Sequence, residues 1–118
     1  MLNGVELDIY ILMSIFKAGK AGRDITTWEI AKNYSWNDKP TFLLASQKSR
    51  YYVKKTGIVN YRMKTMAKEG FVRIEKEEGK TIYNIIGDKI FKMYFIEGKR
   101  AYYLSLKNNS GKRVLLEI

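Results

Sequence analysis

The chain has no cysteine, no histidine and a single proline among its 118 residues. The first two absences exclude disulfides, cysteine/histidine zinc sites and histidine-based acid–base catalysis. Neither a GxxxxGK[ST] phosphate loop nor a GxSxG nucleophile elbow is present. Nothing pairs the carboxylates or lysines convincingly, so no enzymatic activity, cofactor or metal is expected. Long apolar runs are missing too. The longest, Ile9 to Phe16, is about half of the ~20 residues that a membrane span needs. It lacks the basic leader and small-residue cleavage site of a signal peptide. The expectation is a soluble cytoplasmic protein with no membrane partner. No Ser-, Gly- or Pro-rich tract and no internal repeat divides the sequence, so one domain over residues 1–118 is expected.

Acid is scarce as well. Asp and Glu total 12 against 22 Lys and Arg, a formal charge of +10. That imbalance favours polyanionic partners, because neutralising phosphates releases counterions and steers association. Hydrophobic residues at 46% and aromatics at 14% supply enough apolar surface for a core, which argues against disorder.

Hydrophobic spacing divides the chain into elements. Residues 6–18 place Leu7, Tyr10, Ile11, Ser14, Ile15 and Ala18 at helical intervals, and Gly19 and Gly22 stop the helix. Ile9, Leu12, Met13 and Phe16 make its other side apolar, so a cover on two faces is expected. That cover is either the C-terminal segment or, the favoured alternative, a second copy. DITTWEIAKNY (24–34) reads as a short β-like step and a helix, with Thr26 and Glu29 spaced as a capping box. Residues 41–55 suit a further helix with Phe42, Ala45, Ser49, Tyr52 and Val53 on one side, although Tyr51 to Val53 suit a strand equally. Thr56 is placed to cap a helix over 57–69, with Val59, Met63 and Met66 inward and Tyr61, Lys64 and Lys68 outward. Gly70 supplies a left-handed cap. Beyond it the rhythm shortens to two. Strands are expected at 71–74 and 81–86 around a Glu78-Gly79 turn, then at 90–96, 101–107 and 113–118 as an antiparallel meander.

The order helix, short strand, helix, basic helix, glycine and hairpin resembles the winged helix-turn-helix. VNYRMKTMAKEGFVRIEKEEGKTIYNI is similar to the recognition helix, junction and wing of small bacterial and archaeal transcription regulators. The resemblance covers residues 6–86 and implies an α+β fold of three to four helices plus a hairpin wing, extended by the meander at 87–118. It departs from the family in two places. Residues 36–55 separate the scaffold and recognition helices, where a tight turn is usual. The hairpin tip Glu75-Lys76-Glu77-Glu78 is acidic, so it is not expected to grip phosphate.

The strongest functional signal lies between Asp38 and Glu69, where no acidic residue occurs among Lys39, Lys48, Arg50, Lys54, Lys55, Arg62, Lys64 and Lys68. Such mutual repulsion destabilises an isolated helix, and a polyanion relieves it. In a recognition helix, Asn60, Tyr61, Lys64 and Thr65 would read base edges. Lys48, Arg50, Lys54, Lys55 and Lys68 would clamp phosphates, and Thr56 at the helix start completes the set. The expectation is a sequence-specific double-stranded DNA-binding regulator acting as a homodimer. The alternative is a winged-helix protein–protein interaction or scaffold module. Tyr51-Tyr52 and Tyr102-Tyr103 could stack on single-stranded bases, but a division of each pair between core and surface is the simpler reading. Lys99, Arg100, Lys107, Lys112 and Arg113, in a second acid-free run, are expected to keep turns and edges soluble.

Overall fold

The computed structural model describes residues 2–38 and 44–118, with side chains from residue 6 onward. Three helices precede five strands: α1 (Leu2–Lys20), α2 (Thr27–Asn33), α3 (Ala45–Glu69), β1 (Val72–Glu77), β2 (Lys80–Ile85), β3 (Asp88–Ile96), β4 (Lys99–Lys107) and β5 (Arg113–Glu117). The architecture is α+β, with β1-β2 forming one antiparallel sheet and β3-β4-β5 a second.

One hydrophobic cluster joins all of these layers. Leu7, Ile11, Leu12 and Ile15 of α1 meet Ile30 and Ala31 of α2, Val59, Met63 and Met66 of α3, and Leu104, Leu106 and Leu116 of the second sheet. Leu12 therefore faces inward, with 1% of its surface exposed. This corrects the expectation that it lies on an outer face awaiting a second copy. It shares the core cluster with Leu104, Leu106 and Leu116 of the C-terminal sheet, and Phe16 meets Phe91 of β3 at 6.4 Å between ring centroids. Ile9, Tyr10 and Met13 are only partly covered and line an open groove with Tyr34.

The expected break before residue 57 does not exist. Residues 45–69 form one continuous 25-residue helix. Thr56 is mid-helix, and its hydroxyl donates to the Tyr52 carbonyl at 2.7 Å instead of capping a new N-terminus. The connection from α2 is correspondingly shorter than 36–55. Its residues 39–43, with Phe42, lie outside the described residues. Of the other side chains expected on the inner face of 41–55, only Tyr52 is buried; Ala45, Ser49 and Val53 are exposed. The first turns of α3 run past the end of the core, which removes any reason for a period there.

At the N-terminus of α2 the Thr26 hydroxyl accepts from the Glu29 amide at 3.1 Å, as a cap should. The reciprocal half is missing, because the Glu29 carboxylate takes Arg23 at 2.8 Å. Thr26 has extended backbone angles, yet no ladder forms at 24–26. At the other end of α3, Gly70 is left-handed, with φ 87°. The Phe71 amide donates back to the Met66 carbonyl at 3.0 Å, closing the helix and reversing the chain. Both hairpins then turn on an identical pair, Glu78-Gly79 and Glu97-Gly98, with all four φ angles positive. That geometry suits the twist of a two-residue hairpin. The tyrosine pairs divide between core and surface: Tyr52 is buried and Tyr51 half-buried, Tyr103 half-buried and Tyr102 exposed.

No described helix is long and apolar enough to cross a membrane.

Candidate nucleic-acid interface

A rotation of ~100° per residue turns α3 into a map of its charges. Tyr52, Val59, Met63 and Met66 are buried and define its inward direction. Arg50, Lys54, Gly57, Tyr61, Lys64 and Lys68 point the other way, within about 40° of a common direction. Their spacing alternates four and three residues, and the stripe runs roughly 27 Å at ~1.5 Å per residue. Tyr61 stands out from the middle of it, 67% exposed. Asn60 and Thr65 flank the stripe, and the Thr65 hydroxyl donates to the Tyr61 carbonyl at 3.0 Å.

Three expected site residues do not join it. Lys48, Lys55 and Thr56 fall within about 50° of the inward direction. Lys48 is solvent-exposed only because the helix overhangs the core there. Lys55 is engaged: its ammonium lies 2.8 Å from the Asp38 carboxylate, its side chain is 12% exposed, and it sits 4.7 Å from the Trp36 ring. The Tyr51 hydroxyl donates to the same carboxylate at 3.0 Å. Lys55 holds the Asp38 carboxyl below its usual range. Burial, and then the bond to Asp38, push the Tyr51 phenol up to about 12. This cluster fastens the segment after α2 onto α3, so Lys55 is structural.

Arg62 is likewise accounted for. Its guanidinium makes two bonds to Asp8 of α1, at 2.8 and 2.6 Å, and that carboxylate raises the arginine's pKa. Glu69 receives Lys112 at 2.6 Å. Two cations of the acid-free interval, Lys55 and Arg62, are therefore neutralised, both on one flank of the helix. Among the described residues, no carboxylate forms an ion pair with Arg50, Lys54, Lys64 or Lys68. The fold removes the cations that would blur the stripe and leaves the others facing solvent.

Two residues carry roles that their local sequence does not announce. Asn108, in the β4–β5 turn, is buried. Its amide donates to the Glu69 carbonyl, and its oxygen accepts from the Lys112 amide at 2.8 Å. It thus caps α3 from outside and fixes the last turn, which carries Lys68. Its only sequence signal is turn composition. Gly57, expected just inside a helix start, is instead mid-helix on the stripe, and a Cβ there would meet nothing within 4 Å.

Comparisons of the chain with protein-family models, curated proteins and solved structures find no match.

Proposed function

We propose that this protein is a winged helix-turn-helix protein that binds double-stranded DNA in a sequence-specific manner through α3, acting as a transcriptional regulator rather than a catalyst. The observation that carries this reading is the unpaired cationic stripe on a helix whose opposite face is locked into the core. A major groove ~12 Å wide admits one helix between two phosphate walls. Arg50 and Lys54 form one cationic pair, Lys64 and Lys68 a second, with about 15 Å between the nearer members at ~1.5 Å per residue. They suit the two backbones, while Tyr61, Asn60 and Thr65 lie between or beside them for base edges. Helix α2 takes the scaffold position and β1-β2 the wing.

The test is the salt dependence of duplex binding. Four phosphate contacts predict a slope of log K against log salt of about −3.6, so affinity falls roughly 150-fold between 50 and 200 mM salt. Fluorescence anisotropy with random-sequence duplex gives this slope, and selection of bound fragments gives the specificity. A slope near zero rejects the reading. The exposed acidic tip around Glu75, Glu77 and Glu78 favours a second reading, a scaffold module whose stripe meets an acidic protein. Salt-sensitive binding without any sequence preference in the selection supports that module.

Gly57 offers an independent check. Glycine inside a helix costs about 1 kcal/mol relative to alanine, and its surroundings give no packing reason for it. Close approach of a groove wall to the helix backbone would supply one. Gly57→Ala is therefore expected to raise stability by about 1 kcal/mol while weakening duplex binding severalfold. Thermal melts and anisotropy on the same preparation measure both. Unchanged or improved binding would show that the backbone stays clear of the ligand.

A further inference from the structure

Strand β3 reads DKIFKMYFI, and all nine of its residues are exposed. It is the outer strand of the second sheet, so among the described residues one row of its backbone amides and carbonyls has no ladder partner. Both of its faces are mainly apolar, with Lys89 on one and Asp88 and Lys92 on the other. Phe91, Met93 and Phe95 share one, and Ile90, Tyr94 and Ile96 the other, at exposures from 42% to 66%. At roughly 150–250 Å² per aromatic side chain, these six residues leave several hundred Å² of apolar surface, divided between the two faces of the strand. The radius of gyration, 15.7 Å, is larger than the ~13–14 Å expected at this length, as the overhanging start of α3 and a projecting hairpin together require. A long apolar edge strand without proline or a bulge is a pairing template.

We propose that β3 pairs antiparallel with β3 of a second copy, about a two-fold axis at Met93, to build a continuous six-stranded sheet. A lipid surface would leave the edge backbone unsatisfied, whereas a strand satisfies it. A two-fold makes one strand its own complement, and the sequence selects the register. Centred on Met93, Phe91 faces the partner's Phe95, Ile90 faces the partner's Ile96, and Lys92 faces the partner's Tyr94. Lys89 then falls next to the partner's hairpin turn, where Glu97 offers an opposite charge. A centre at Lys92 would oppose two lysines, and a centre at Tyr94 would set Lys92 against the partner's Ile96. This interface is separate from the α1 face considered from the sequence, and it does not depend on DNA binding.

The absence of cysteine from the chain makes single-cysteine variants unambiguous. Opposed residues in an antiparallel pair have Cα atoms ~4.5–5.5 Å apart, within disulfide range. Under mild oxidation without DNA, Met93→Cys is expected to cross-link to a dimer, while Lys92→Cys and Tyr94→Cys remain largely uncrosslinked. Light scattering of the unaltered protein at micromolar concentration should give twice the 13.8 kDa of one chain. Phe95→Glu/Ile96→Glu, at two positions the core does not use, should give one chain mass with an unchanged circular dichroism spectrum. A monomeric unaltered protein overturns the proposal, including one that binds anionic vesicles. Retention of the dimer in the double variant, or equal cross-linking at all three positions, overturns it as well. A dimer that fails to bind duplex would count against the DNA reading alone.

Discussion

Reversing Lys64 and Lys68 together to glutamate should lower duplex affinity by at least about 100-fold, close to 3 kcal/mol. The stripe changes from four positive charges to none in net terms, and two new anions face phosphate. The salt slope should flatten by about two, one for each lost phosphate contact. Both residues lie on the side of α3 opposite Val59, Met63 and Met66, so thermal stability should hold. Lys48→Glu is the matched control. It changes the net charge in the same direction but stands off the stripe, so its effect should stay within a few-fold. Anisotropy titrations of the three proteins at one salt concentration decide the matter. Equal losses at Lys48 and at the Lys64/Lys68 pair would mean that binding responds to overall charge and not to the stripe.

The second large effect is expected at the joint between the sheets. Only Ile86 and Gly87 connect β2 to β3, and Gly87 adopts φ 98°. A Cβ there would lie 2.6 Å from the Lys107 carbonyl oxygen, a backbone atom that cannot swing aside. Gly87→Ala therefore combines a backbone conformation unfavourable by about 1–3 kcal/mol with a displacement of β4. A total of about 2–4 kcal/mol corresponds to a Tm lower by roughly 10–15 °C in a chain of this size. Gly98 provides the comparison, since its φ is 77° but a methyl group added there would have nothing within 4 Å. Gly98→Ala should cost only the backbone strain, about 1 kcal/mol. Equal melting shifts for the two variants would show that the link between the sheets gives way easily.

What the sequence revealed and what it concealed follow from the range of the forces involved. Val59, Met63 and Met66 announce the buried face of α3 because helical period is a local property. Glu78-Gly79 announces its turn because positive φ restricts residue choice. Gly57 misled, since glycine beside threonine looks like a helix start when the long helix continuing through both is not seen. The neutralisation of Lys55 by Asp38 and of Arg62 by Asp8 was out of reach, because the pairs span 17 and 54 residues and only tertiary packing brings them together. Strand β3 is legible as a strand, but apolar residues on both of its sides resemble those of a strand buried on both sides. Nothing local separates a strand covered by its own chain from one left bare.

The bond from the Asn108 amide to the Glu69 carbonyl spans 39 residues. At ~5–20 residues per second of synthesis, the end of α3 emerges from the ribosome roughly 2–8 s before the side chain that secures it. During that interval Gly70 alone terminates the helix, and the core cluster that holds Met63 and Met66 lacks the leucines of β4 and β5. The nascent protein thus presents its cationic surface before the last turn of that helix is secured. Only when the final hairpin emerges can the last helical turn settle, so the C-terminal strands act as the latch that completes α3.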